Sequence, residues 1–229
     1  MKLVWSPERA SKAYIDTVQS CKIFHESGVA EMVSAMAAGW NAQLIVETWS
    51  QGGVIPTSVG LAIASHHTGG RHVCIVPDER SRSEYAKSMC EAAGMSPEIM
   101  VGEAEEVMDG LVGIEFLVVD SRRKDFPRVL RLAKLSSKGA VLVSKNACCS
   151  SKTGSSFIWR SVLGQGSRRL VRSVFLPVGK GLHMAHLSAT VCNNSVSPLK
   201  AGNGHGHGHA KRWIKHVDQQ SGDVHFIRR

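Results

Sequence analysis

Five short apolar segments rich in β-branched residues alternate with helix-like segments through the middle of the chain. The apolar segments are QLIVETW at 43–49, HVCIVP at 72–77, EIMV at 98–101, GIEFLVVD at 113–120 and GAVLVSKN at 139–146. Parallel neighbouring strands need crossover connections, which are usually helices. The alternation therefore predicts a mostly parallel sheet with helices on both faces, an α/β Rossmann-like core.

Start and stop signals place helices between these strands. We expect helices over Thr57 to His67, from a capping box of Ser81 and Glu84 to Gly94, over Glu103 to Asp109, and from Asp125 to about Leu135. After a Ser- and Gly-rich stretch at 147–167, which we interpret as a long loop, residues 168–190 indicate two strands around a turn at 177–181. These strands would close the sheet with an antiparallel hairpin.

The segments outside the core differ in character. Ser6-Pro7 is a good helix start, and two helices, Glu8 to Ser20 and Gly28 to Ala38, are expected before the first strand. We therefore divide the chain into a helical lead-in at 1–42, a Rossmann-like domain at 43–191, and a flexible tail at 192–229 that contains a short strand at 224–227. The alternating histidines at 205, 207 and 209 in this tail indicate either a chelating run or, more simply, a solvated low-complexity segment.

Composition limits the class of protein. With 43% hydrophobic and 21% charged residues, the chain is typical of a folded globular protein. Neither a signal peptide nor a stretch of roughly 18 uninterrupted apolar residues is present, so we expect an intracellular protein, cytoplasmic or nuclear. The six cysteines lack CxxC spacing, which favours reduced thiols.

The formal charge of +9 is divided unevenly along the chain. Residues 1–120 hold 8 Lys and Arg against 16 Asp and Glu, whereas residues 121–229 hold 20 against 3. Such a basic half is compatible with an anionic partner, and equally with the solvated surface of an enzyme that has an acidic and a basic side.

Carboxylates occur near the predicted ends of four strands. Glu47 is followed by Gly52 and Gly53, and Asp78, Glu103 and Asp120 follow or close the next three strands. In doubly wound sheets the ligand lies outside the carboxyl ends of the strands. Carboxylates there suit a ribose diol and a cationic sulfonium better than a phosphate. Each residue also has a simpler interpretation as a turn or capping residue.

Residues 46–146, with FLPVGKG at 175–181, resemble the class I S-adenosylmethionine-dependent methyltransferases of the small-molecule O-methyltransferase type. More closely, the whole chain resembles a land-plant family of Rossmann-like proteins of unknown function. The resemblance implies S-adenosylmethionine as cofactor, held by Glu47, Gly52, Gly53, Asp78, Glu103 and Ala104. The methyl acceptor is not implied.

The chain departs from this family at the first strand. Trp49 stands where the resemblance implies a glycine, and an indole at this tight turn would crowd the methionine part of the cofactor. Pro77 stands where the ribose-binding acid is implied, so that Asp78 comes one residue late.

A second departure concerns the metal-dependent members of the family. Asp120 matches their magnesium ligand, but Lys145-Asn146 replaces the Asp-Asn pair of the next strand, which argues against a metal. Two hypotheses follow. In one, Lys145 is a general base or orients an acceptor hydroxyl while Asp120 tunes its charge. In the other, the site is degenerate and the fold serves binding or interaction. A salt bridge between Lys145 and Asp120 is the simplest expectation for this pair.

Overall fold

The structure is a computed structural model, and it describes residues 5–22, 24, 28–123, 125–147, 159, 170–188, 213–217 and 224–228. By its internal contacts the chain divides into two units, Met1–Val191 and Cys192–Arg229. The first unit contains the sheet and the helices, and the second contains a pair of strands.

The elements of the first unit follow the predicted alternation. The helices are α1 Pro7–Ser20, α2 Val29–Gly39, α3 Pro56–Thr68, α4 Glu79–Ala93, α5 Ala104–Met108 and α6 Phe126–Leu132. The strands are β1 Leu44–Thr48, β2 Arg71–Val76, β3 Glu98–Val101, β4 Val112–Ile114, β5 Phe116–Asp120, β6 Lys134–Leu135, β7 Ala140–Lys145, β8 Leu170–Leu176 and β9 Leu182–Leu187.

Seven of these strands form one sheet in the order β3-β2-β1-β5-β7-β9-β8. The first five are parallel, and β9 runs antiparallel to both β7 and β8. This arrangement confirms the predicted mostly parallel sheet with an antiparallel hairpin at its C-terminal edge. The chain moves outward from β1 to β3 and then returns to β5 on the other side of β1. The switch point of the topology therefore lies between β1 and β5, where doubly wound sheets bind ligands.

Helices cover both faces of the sheet, as its apolar strands require. Buried residues of α1 to α4 pack on one face, and Glu47, Trp49, Asp120 and Lys145 belong to the same face by strand alternation. Buried residues of α5 and α6 pack on the other face. The helical lead-in thus forms part of the cover over the face that carries the candidate site.

The segment GIEFLVVD at 113–120, predicted as one strand, is divided in two. Gly113 has a φ of +86°, and the break falls at Glu115, between β4 and β5. The buried Glu115 carboxylate accepts a hydrogen bond of 2.8 Å from the backbone N–H of Gln43. The helix expected to reach Leu135 ends at Leu132, because the next residues form β6 and pair with β4.

The second unit contains β10 Trp213–Val217 and β11 Val224–Arg228, which pair as an antiparallel hairpin. The strand expected at 224–227 is present. Its partner lies in a stretch without sequence periodicity, which is why it was not predicted.

Candidate functional site at the carboxyl ends of the strands

The structure places the predicted site residues along one edge of the sheet. Glu47 lies in β1. Asp78 and Glu103 lie just after the carboxyl ends of β2 and β3. Asp120 ends β5 and Lys145 ends β7, and these two residues are paired in the register of the two strands. Five neighbouring strands therefore bring these five residues to the carboxyl edge of the sheet, on both sides of the switch point, where a doubly wound sheet forms its crevice.

Glu47 lies beneath this crevice, inside the core. The residue is 0% exposed, and its Oε1 accepts a hydrogen bond of 2.8 Å from the Tyr85 hydroxyl and lies 3.1 Å from His72 Nε2. Its Oε2 has no hydrogen-bond partner in the described part of the chain. Burial raises the pKa of Glu47, but the hydrogen bond and charge of His72 and the charge of Lys145 outweigh it, and the net pKa is lowered. Glu47 is thus a buried carboxylate held in its ionised form.

The indole of Trp49 fills the inner side of the turn after β1. Trp49 is 2% exposed and packs edge-on against Tyr85, with ring centroids 5.3 Å apart. A Cβ built on Gly53 would lie 2.6 Å from Trp49 Nε1. In this chain Gly53, the last glycine of the turn, therefore leaves the space that the indole occupies. The sequence predicted crowding at position 49 but not the contact with Gly53.

Helix α4 holds the same turn from the outside. The Glu84 carboxylate accepts the backbone N–H of Gly52 at 3.1 Å, and the Gly53 N–H is donated to the Ser50 carbonyl. The expected capping box of Ser81 and Glu84 is therefore wrong. Asp78 is the N-cap, because its carboxylate accepts the Ser81 N–H at 2.7 Å. These hydrogen bonds lower the pKa of Asp78, whose side chain remains exposed to solvent.

Asp120 pairs with Arg122 and not with Lys145. The Arg122 guanidinium binds both carboxylate oxygens, with Nη2 2.6 Å from Oδ2, and Asn146 Nδ2 donates to Oδ2 at 2.9 Å. Burial raises the pKa of Asp120, and these hydrogen bonds reverse the shift and lower it. The prediction of a salt bridge between Lys145 and Asp120 is wrong. Arg122 lies in the turn just after Asp120, and its guanidinium occupies both carboxylate oxygens. A carboxylate covered in this way is a poor ligand for a divalent cation.

Lys145 remains beside the crevice with its charge uncompensated by a direct contact. The residue is 5% exposed, and its ammonium makes no hydrogen bond or ion pair with any residue that the structure describes. Its positive charge lowers the pKa of the Glu47 carboxyl and partly offsets the rise that burial causes in the pKa of the Cys74 thiol.

Glu103 and Ala104 lie at the start of α5. Glu103 occupies the N-cap position with its side chain exposed and no capping hydrogen bond, and Ala104 is the first residue of the helix. Arg123, which follows β5, pairs with Asp125 at 2.6 Å, and this pairing together with the charges of Glu103 and Asp120 raises the pKa of Arg123. Glu103 is thus an open carboxylate near a cationic surface.

Three residues that hold the site together were not expected from the sequence: Tyr85, His72 and Glu84. Tyr85 carried a usable signal, because it shares a helix face with Met89, and a tyrosine at such a buried position needs a partner for its hydroxyl. His72 and Glu84 carried none, since their partners lie in other elements.

The basic clusters of the C-terminal half are in part neutralised. Arg122 and Arg123 are engaged by Asp120 and Asp125. The histidine run of the tail lies outside the described residues. Among the helices that the structure describes, none has the length and apolar character needed to cross a membrane.

The whole chain, residues 1–229, matches the model of a family described as "Protein of unknown function (DUF1442)". The chain belongs to this family. None of the curated proteins matches it significantly.

Solved structures similar to this DUF1442 chain are methyltransferases. A methyltransferase from Geobacter sulfurreducens is 18% identical with a TM-score of 0.55, covering 79% of this chain and 90% of its own. The O-methyltransferase TomG from Streptomyces achromogenes, in complex with S-adenosylmethionine, is 23% identical with a TM-score of 0.50, covering 81% and 92%. An O-methyltransferase from Bacillus cereus, in complex with S-adenosylhomocysteine, is 17% identical with a TM-score of 0.51, covering 77% and 91%. These likenesses show that the fold is that of the Rossmann-like methyltransferases.

Proposed function

We propose that this chain is an S-adenosylmethionine-dependent methyltransferase-like protein whose cofactor lies in the crevice at the ends of β1, β2 and β3. The observation that carries the proposal is the position of Glu47, Asp78 and Glu103. They lie in or just after three adjacent strands, at the carboxyl edge of the sheet next to the switch point between β1 and β5. The similar methyltransferases described above support the same assignment.

The residues present fit the nucleoside half of this cofactor. Asp78 and Glu103 are exposed carboxylates that can accept hydrogen bonds from ribose hydroxyls and from an amino group of the base. The unpartnered Oε2 of Glu47 is a further acceptor below the crevice. At the first turn, the fit depends on the position of Trp49. When bound, S-adenosylmethionine would supply a methyl group on a cationic sulfur.

Lys145 is the residue that we assign to the acceptor side of the reaction. Its ammonium is not committed to Asp120, so it is free to orient an acceptor hydroxyl or, once deprotonated, to take its proton. Asp120 contributes indirectly, by fixing Arg122 and Asn146 beside the crevice. Because Arg122 covers Asp120, the mechanism that we propose uses no divalent metal.

Titration calorimetry of the full chain with S-adenosylmethionine and S-adenosylhomocysteine tests the proposal. Glu103→Gln should weaken binding about tenfold, as expected for loss of one hydrogen bond to a charged group. Glu106→Gln is a matched control, because Glu106 is exposed in the same short helix and should not contact the ligand. Absence of binding at millimolar ligand, or equal effects of the two substitutions, would refute the assignment.

Asp78 needs a more careful substitution, because it also caps α4. Asp78→Ser retains an oxygen for the cap but removes the carboxylate. We expect this variant to fold with near-normal stability and to bind the cofactor more weakly. Asp78→Ala should lower both the stability of the protein and its affinity for the cofactor. If Asp78→Ala lowers stability but binds the cofactor as wild type does, Asp78 is a helix cap and does not bind the cofactor.

A further inference from the structure

The turn after β1, residues 50–53, is closed from two sides. On the inside, the Trp49 indole lies against Gly53 at a distance that leaves no space for another group. On the outside, Glu84 takes the Gly52 N–H, and the Gly53 N–H is donated to Ser50. The glycines of such a turn normally let a ligand approach the backbone closely. In this chain the space beside Gly53 is occupied, and the N–H groups of both glycines are engaged.

The neighbouring strand ends are open by contrast. The carboxylates of Asp78 and Glu103 are exposed. The crevice therefore has an open part at β2 and β3 and a closed part at β1. A ligand that needs only hydrogen-bond acceptors for hydroxyl and amino groups fits the open part.

An amino-acid chain on the ligand would meet the closed part under unfavourable conditions. Its carboxylate would find no free glycine N–H, and it would approach the carboxylate of Glu84. Its methylene groups would compete with the indole of Trp49 for the same space. Shape and charge thus act in the same direction.

We propose that Trp49 is a specificity gate of this crevice. With the indole on Gly53, the site accepts nucleosides of the adenosine class, and the amino-acid chain of S-adenosylmethionine or S-adenosylhomocysteine enters only when the indole moves away. This inference rests on the proposed function, since it concerns the same crevice. The Trp49 N–H has no acceptor among the described residues, and such a buried unsatisfied donor lowers the cost of moving the ring out.

The test compares adenosine with S-adenosylhomocysteine on the wild-type chain and on Trp49→Leu, by calorimetry. We expect the substitution to raise the affinity for S-adenosylhomocysteine about tenfold or more, because it removes the steric block to the amino-acid chain. The affinity for adenosine, which lacks that chain, should stay within about twofold. Trp40→Leu is the matched control, because Trp40 lies before β1, at the opposite end of that strand. Trp49→Phe, which removes less volume, should give a smaller effect and serves if the leucine variant does not fold.

A second variant addresses charge without changing the core. Glu84→Gln keeps an acceptor for Gly52 and removes the negative charge, so it should strengthen binding of S-adenosylhomocysteine and not of adenosine. Glu91→Gln, on the same helix and exposed, is its control.

The outcomes separate the two proposals. Equal affinity of wild-type and Trp49→Leu for S-adenosylhomocysteine, with clear binding in both, overturns the gate and leaves the proposed function standing. Binding of adenosine alone by both proteins also overturns the gate, because Trp49 would not be the obstacle. Absence of binding of both ligands to every variant removes the proposed function and the gate together.

Discussion

Tyr85 on α4 donates a hydrogen bond of 2.8 Å to the buried carboxylate of Glu47 on β1, across 38 residues of sequence. The same tyrosine ring packs edge-on against Trp49. One side chain therefore ties the helix after β2 to both the end of β1 and the turn that follows it.

Tyr85→Phe should destabilise the protein by about 1–3 kcal/mol, because it removes a donor from a buried carboxylate while keeping the ring in place. Denaturant unfolding with a shared slope measures the difference. Tyr14→Phe is the natural control, since Tyr14 is exposed on α1 and the chain has only these two tyrosines. Equal effects of the two substitutions would show that the hydrogen bond contributes nothing to stability.

The lowered pKa of Glu47 predicts a pH dependence of stability. A carboxylate whose pKa is lower in the folded state stabilises the protein above its unfolded pKa of about 4.3, and this contribution is lost as the pH falls through the folded pKa. The stability difference between wild type and Glu47→Gln should therefore be largest near neutral pH and shrink below about pH 4. Denaturant unfolding from pH 3 to 7 measures it, and a difference that is constant with pH would contradict the prediction.

Lys145→Met should leave stability within about 1 kcal/mol of wild type, because the apolar stem remains buried and no direct ion pair is broken. If Lys145 were held in a buried salt bridge, the substitution would instead lower the free energy of unfolding by about 3–5 kcal/mol, because it would leave the partner's charge buried and unpaired. Thermal or chemical unfolding distinguishes the two cases. If an acceptor is found, the same variant should bind cofactor normally and fail to transfer the methyl group.

Asn146 combines a left-handed backbone, with φ of +59°, and a side-chain hydrogen bond to Asp120. Asn146→Ala should lose the bond and put alanine in the left-handed conformation, which asparagine tolerates better than alanine, at a cost of about 2–4 kcal/mol. Asn146→Gly should lose only the bond and cost less, because glycine adopts positive φ freely. Unfolding free energies in that reverse order would refute this account of the turn.

Most of the architecture was predictable from the sequence, since the signals for it are local. The apolar run of β5 and the glycines that end α3 and α4 act over a few residues, and the rhythm of strands and helices implies the crossover topology. The exceptions were small. The break at Glu115 involves a hydrogen bond from Gln43, which is 72 residues away. Both Asp78 and Ser81 are suitable N-cap residues for α4, and only the hydrogen bond from Ser81 N–H to the Asp78 carboxylate identifies Asp78 as the cap.

The sequence by itself determined the parallel sheet, the order of its elements, and the set of carboxylates and glycines that reach the carboxyl edge. Only the tertiary structure decided what each of them does there. Asp120 takes Arg122 as its partner, Glu47 is buried under Tyr85 and His72, and Gly53 receives the indole of Trp49. Secondary structure follows from propensity and periodicity within short windows, whereas these pairings depend on strand register and on where a distant helix packs.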